Sequence, residues 1–218
     1  MDLQKFYKNK KILITGHTGF KGSWLTSCLL VFGAKILGIS KNDEKLIHYK
    51  KNCYHKKITN VYIDITNYEN LKKKITEFNP EIIIHLAAQA LVSESYKNPF
   101  KTIETNVMGT LNIIEVSKKI KNLKSLLIIT SDKCYLNKEI KKGYKENDQL
   151  GGDDPYSASK ASAEIIFNTY AKSFFNNQNK FGYATARAGN VIGGGDWSKD
   201  RLIPDCIKSI IKKKKLMI

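Results

Sequence analysis

Tyr156 and Lys160 stand four residues apart, a spacing that puts a phenol and an ammonium on one face of a helix. A phenol with its ordinary pKa near 10 is a poor base at neutral pH. A neighbouring ammonium favours the phenolate and makes it able to take a proton from a hydroxyl. Twenty-five residues before Tyr156 begins a second group: Ser131, Asp132 and Lys133 offer a hydroxyl, a carboxyl acid and a cation. Near the N-terminus a third group, Gly16, Gly19 and Gly22, repeats at intervals of three. Glycines at such a spacing let a chain turn tightly and let a pyrophosphate approach a helix N-terminus, where unpaired N–H groups and the helix dipole favour anions. A lone Tyr-x-x-x-Lys arises by chance in a lysine-rich helix. The three groups in this order imply a protein that holds a nicotinamide dinucleotide and deprotonates a hydroxyl.

Each group needs an element to position it. Short apolar runs alternate with longer amphipathic stretches, which predicts an α/β fold with a doubly wound parallel sheet of the Rossmann type. The expected strands are 11–15, 34–40, 60–65, 82–86, 126–130 and 183–188, and the expected helices 21–32, 68–78, 99–119, 156–175 and 203–214. The runs Ile82–Ile84 and Leu126–Ile129 do not alternate with polar residues, as expected of strands buried on both faces. On this reading the glycines join the first strand to its helix, Ser131 to Lys133 end the fifth strand, and Tyr156 opens a helix after a polar loop over 136–154. Leu86, Ala87, Ala88 and Gln89 follow the fourth strand, where small side chains leave room for a ribose and nicotinamide. Asn190 and the glycines at 193–195 follow the sixth strand, at the carboxyl edge where α/β sheets bind ligands. Arg201 suits a diphosphate there. Residues 1–186 form the dinucleotide-binding domain and 187–218 the start of a substrate lobe.

The 218 residues, 42% hydrophobic and 26% charged, suit one sizeable globular domain. No apolar run approaches the ~18 residues of a membrane helix, and no apolar leader precedes the first strand, so a cytoplasmic location is expected. Cys28, Cys53, Cys134 and Cys206 are widely spaced and only four histidines could join them, so no metal site is expected. The net charge of +17 invites a nucleic-acid reading, but arginine occurs only at Arg187 and Arg201 and no aromatic platform interleaves with the lysines. An anionic small substrate with a lysine-biased surface accounts for the charge.

These segments, with 98–110, 151–156, 187–197 and 200–205, resemble the extended short-chain dehydrogenases/reductases. Within them the chain resembles the nucleotide-sugar 4,6-dehydratases, and most of all the CDP-glucose branch, in which Lys133 replaces the glutamate that follows the aspartate in many dehydratases. The resemblance implies NAD as cofactor, held by Gly16, Gly19, Phe20, Gly22, Asp64, Ile65, Leu86, Ala87, Ala88, Gln89, Thr105, Tyr156 and Lys160. It implies a nucleotide-sugar substrate touching Asn190 and Arg201, and a homodimer in the full-length form. Ser131, Asp132, Lys133, Tyr156 and Lys160 are the catalytic set: Asp132 as the acid that expels the C6 hydroxyl, Lys133 as base or electrostatic group. Family members continue for more than a hundred further residues, so this chain reads as a truncated form. Three alternatives stay open: NADP in place of NAD, because Lys41 stands where an acidic residue often meets the ribose; a 4-epimerase or reductase, which needs neither Asp132 nor Lys133; and an inactive dinucleotide-binding remnant.

Overall fold

The computed structural model describes residues 2–41, 56–175, 181–198 and 200–215. Six parallel strands form one sheet: β1 (Lys11–Thr15), β2 (Lys35–Ser40), β3 (Thr59–Tyr62), β4 (Ile82–His85), β5 (Ser125–Ser131) and β6 (Gly182–Ala188). Their order, β3-β2-β1-β4-β5-β6, is the doubly wound one. Around it lie α1 (Leu3–Tyr7), α2 (Phe20–Val31), α3 (Tyr68–Phe78), α4 (Val92–Lys97), α5 (Pro99–Ile103), α6 (Gly109–Ser117), α7 (Pro155–Tyr170) and α8 (Leu202–Ile211).

Strand periodicity divides the core in two. Leu13, Leu37, Ile39, Ile83, Leu126 and Ile128 face the layer that contains Leu71 and Ile75 of α3, Ile113 and Ile114 of α6, and Phe167 of α7. Ile12, Ile14, Ile36, Ile82 and Ile84 face the other way, with Leu29 of α2. Successive strand residues point to opposite faces, so an unbroken apolar run supplies both layers at once.

The strands fall within two to three residues of their expected ends. The third was expected to reach Ile65 but stops at Tyr62, and Cys53 lies outside the described residues. The helix expected over 99–119 runs unbroken from Pro99 to Ser117 but is not α-helical throughout. A π turn, Glu104–Met108, separates α5 from α6. At this widened turn Asn106 accepts a hydrogen bond from Gln89 N (2.8 Å) and donates to Gln89 O (3.0 Å) and Ser159 Oγ (2.8 Å). Such a local departure at a polar anchor is typical of π turns. α7 likewise ends in a π turn, Ala171–Phe175. The short helices α1 and α4 had no periodic signal to reveal them.

At the amino edge of the sheet, Glu81 clasps three strands. Its carboxylate accepts from Lys10 Nζ (2.9 Å), Lys124 Nζ (3.0 Å) and Lys11 N (3.3 Å). The Lys10 hydrogen bond leads in holding the Glu81 pKa at about 2, against partial desolvation. A depressed carboxylate pKa stabilises the fold above the unfolded value and loses that contribution as the pH falls through the folded one. Glu81→Gln is therefore expected to cost on the order of 1 kcal/mol at neutral pH, the site being partly screened by solvent. In urea titrations the difference from the parent should shrink between pH 4.5 and about 2.

Candidate active site

The chain reverses its winding between β1 and β4, so the carboxyl ends of these strands bound a crevice. Gly16 leaves β1 with φ +72°, and a Cβ there would lie 2.8 Å from Ala87 N after β4. Gly22, in the first turn of α2, is packed against Gly16 O, and a Cβ would also come within 2.7 Å of His17 Cα. Gly19 caps α2 without a side-chain bond, leaving the helix N-terminus open beside Phe20. Leu86, Ala87, Ala88 and Gln89 are half-buried along the far wall. Gln89 Nε2 donates to Leu91 O and Thr102 Oγ1, and Thr105 is buried in the π turn. These are the features a pyrophosphate-binding turn requires: open N–H groups, and backbone where any side chain would intrude.

At the outer end of this crevice, His17 is buried, lies against Gly38, and pairs through Nε2 with Asn60 Oδ1 (2.5 Å). Burial lowers its pKa, keeping the ring neutral. Lys41 pairs with Asp64 at 3.0 Å, and Lys101 approaches the same carboxylate at 3.8 Å. Burial pushes the Asp64 pKa up, but bonds from Thr66 and Lys41 outweigh it and leave the pKa below its ordinary value. Ile65 is buried against Gly109.

Across the crevice, α7 presents Tyr156 and Lys160, both buried. Asp154 caps α7 by accepting from Ser157 N (3.0 Å), and Pro155 takes the first helical position, which fixes where the helix starts. Ser131, at the end of β5, donates to Asp132 Oδ1 (3.1 Å) and acts on the Tyr156 phenol to lower its pKa. Asp132 and Lys133 are exposed, in a single 3-10 turn. Burial raises the Tyr156 pKa, and Asp132 and Asp154 add to this, while Ser131 and Arg201 oppose it. The net result in the free chain is a phenol held above its ordinary pKa, and the Lys160 ammonium beside it on α7 is itself buried. Desolvation, then Lys21, lowers its pKa to about 8. Lys160 Nζ has one protein acceptor among the described residues, Ile129 O at 3.5 Å.

His85 is a structural histidine, held between Thr15 Oγ1 (2.6 Å) and Thr110 Oγ1 (3.1 Å), with its pKa driven to about 3 by burial. Cys134 is fully buried and its thiol is pushed up to about 11, chiefly by desolvation, so it is unreactive. Asn190 is exposed after β6, and Arg201 pairs with Asp196 at 3.7 Å. The glycine loop folds back on α2, where Trp24 Nε1 donates to Gly194 O (2.9 Å).

Glu164 escaped the sequence reading. Fully buried one turn after Lys160, its carboxylate receives Thr130 Oγ1 (2.5 Å), Thr185 Oγ1 (2.9 Å), and Arg187 Nε and Nη2 (both 3.2 Å). The signal was present, because 156, 160 and 164 share one helical stripe and an acid on a buried stripe demands partners. Lys21 was likewise passed over inside the glycine motif.

The buried ammonium gives a signed prediction. Below pH 8 the folded chain bears the full cost of a charged Lys160, and this cost fades as the pH rises from about 8 to the unfolded value of 10.5. Lys160→Met should therefore stabilise the apo protein at pH 7 by on the order of 3 kcal/mol. In denaturant titrations the advantage should diminish from pH 8 upward.

The comparisons with known proteins agree with this geometry. Residues 13–214 match the family model described as GDP-mannose 4,6 dehydratase. The chain is 44% identical to CDP-glucose 4,6-dehydratase of Salmonella typhimurium over 99% of its own length and 61% of the relative's. It is 31% identical to dTDP-D-glucose 4,6-dehydratase of Dictyostelium discoideum, over 96% of this chain and 50% of that one. The crystal structure of dTDP-glucose 4,6-dehydratase from Bacillus anthracis in complex with NAD superposes with a TM-score of 0.79 at 28% identity, covering 95% of this chain and 63% of that one. The chain thus spans about half to three-fifths of the length of these relatives. It belongs to the GDP-mannose 4,6 dehydratase family of extended short-chain dehydrogenases/reductases.

Proposed function

We propose that the chain is the dinucleotide-binding part of an NAD-dependent 4,6-dehydratase of a nucleotide-activated hexose, with CDP-glucose as the substrate. The observation that carries this reading is the meeting of Tyr156 with Ser131 and Asp132 at the carboxyl end of β5, across from the glycine turn. An epimerase needs the hydroxyl and the phenol; an acid beside them answers the further need to expel a hydroxide. The 44% relative supplies the substrate expectation.

Gly16, Gly19 and Gly22 fit the pyrophosphate, and Asp64 and Ile65 lie where the adenosine end belongs. Bound there, NAD would supply the hydride acceptor for C4 and the hydride donor for C6. Tyr156 accepts the O4 proton, steadied by Ser131 and by Lys160. The resulting 4-ketone acidifies the C5 hydrogen, and Asp132 protonates the departing C6 hydroxyl. Lys133 assists at C5, either directly or by positioning another group. The Lys41–Asp64 ion pair favours NAD over NADP, because Lys41 is already neutralised and a 2′-phosphate would face the Asp64 carboxylate.

The segment after β6 begins a substrate lobe in this reading, with Asn190 and Arg201 toward the nucleotide sugar. Trp197, Leu202, Ile203, Ile207, Ile210 and Ile211 are exposed there, an apolar surface of the kind a further lobe covers. Helices α4, α5 and α7 pack together and expose Tyr96, Phe100 and Ile165, and we assign this face to a second copy of the chain.

The test is product analysis with CDP-glucose and NAD. A product lighter by one water, bearing a 4-ketone, is expected; an epimer of unchanged mass would overturn dehydration, and cofactor binding without turnover would favour a non-catalytic module. Asp132→Asn should accumulate reduced cofactor absorbance while losing dehydration at least about 100-fold, and Tyr156→Phe should stop both steps. Parallel titrations with NAD and NADP should favour NAD.

A further inference from the structure

Lys160 needs a negative charge to remain an ammonium in its buried setting. Tyr156 and Glu164 flank it by one turn on α7. Lys21 acts on it from α2, His85 from β4 and Cys134 from the turn after β5. His85 is held neutral and the Cys134 thiol stays protonated, and Lys21 repels. Glu164 is left as the carboxylate among these groups.

Its position is fixed with unusual completeness. The carboxylate joins three elements: α7 carries it, Thr130 binds it from β5, and Thr185 and Arg187 bind it from β6. Arg187 is held in turn by Glu146 O (2.8 Å) and by the Tyr135 ring, 4.7 Å from its guanidinium. The two charged side chains are 1% and 13% exposed, so water screens little of their field.

We propose that Glu164 is a positioning residue for the Tyr156–Lys160 pair: its locked carboxylate is the counter-charge that keeps Lys160 protonated, and Arg187 sets how much of that charge Lys160 feels. Thr130 also ties the counter-charge to the strand end that bears Ser131 and Asp132, so the acid and base sides of the site share one anchor. The inference rests on the proposed function only in treating Lys160 as the ammonium of the site.

The arrangement makes two variants of one ion pair act in opposite directions. Glu164→Gln removes the anion, retains most of the side-chain shape, and leaves Arg187 uncompensated. Arg187→Met removes the cation and frees the Glu164 field. The measurement is the pH titration of the Lys160 Cε resonance in lysine-labelled protein, assigned by its disappearance in Lys160→Met. It reads the apo chain and needs no turnover. Glu164→Gln should shift the Lys160 midpoint down by about one to two pH units and Arg187→Met should shift it up by about one. Glu164→Asp should restore most of the parent midpoint despite any loss of stability. A structural role alone would lower the melting temperature of both variants and leave the Lys160 midpoint in place, and equal shifts of one sign would also overturn the proposal. Should dehydration of CDP-glucose fail while the opposed shifts appear, the proposed function falls and this inference stands. If Glu164→Gln does not fold, the upward shift in Arg187→Met and the response of Glu164→Asp decide it.

Discussion

The close approach of two strand ends governs the architecture of the site. Gly16 after β1 and Ala87 after β4 lie so near that a single methylene would collide with backbone, and Gly16 holds a positive φ that L side chains rarely adopt. The contact follows from the sheet order, because β1 and β4 are neighbours whose connections depart to opposite faces. With Gly16 so placed, its carbonyl lies against Gly22, and α2 must begin there with no side chain at its cap. The opening of the helix N-terminus toward the crevice is thus a consequence of packing. Pyrophosphate recognition, as proposed, uses what the topology has already exposed.

The opposite wall is governed by buried charge. Lys160, Glu164 and Arg187 lie within the protein, and transfer of such groups from water is costly unless they are paired. Glu164 and Arg187 are paired with each other and with two threonines and a carbonyl, so that wall is rigid. Lys160 has one long hydrogen bond and a repelling neighbour, so it remains under electrostatic stress. A fold that only needed stability would replace that lysine with an apolar residue. Its place beside a buried phenol accords with the proposed role in the site, where stability gives way to activity.

Much of this was legible in the sequence because the signals were local and periodic. Two-faced apolar runs announced the central strands, and the Gly-x-x-Gly-x-x-Gly spacing placed the turn at the end of β1. The pairing of Tyr156 with Lys160 followed from helical spacing. What escaped depended on distant partners. The π turn at Glu104–Met108 follows no propensity and accompanies the bonds of Asn106 to Gln89 and Ser159. The ion pair of Lys41 with Asp64 joins residues on neighbouring strand ends, and no spacing rule could reveal it. The direction of the Tyr156 shift also escaped, since a pairwise view of phenol and ammonium omits the burial that penalises both.

That last failure bears on how the site works. In the free chain burial disfavours both the phenolate and the ammonium, so the neutral phenol is secure at physiological pH. The proposed reaction needs the reverse, and the oxidised nicotinamide carries the positive charge that would shift the phenol toward ionisation. Ser131 lowers the Tyr156 pKa and so favours the anion as it forms. Asp132, one residue along, is exposed and adds to the groups that oppose premature ionisation of the phenol. Such an arrangement restrains the base until a cationic ring and a substrate hydroxyl are both in place, and it lets a buried, paired carboxylate at Glu164 hold the lysine ready.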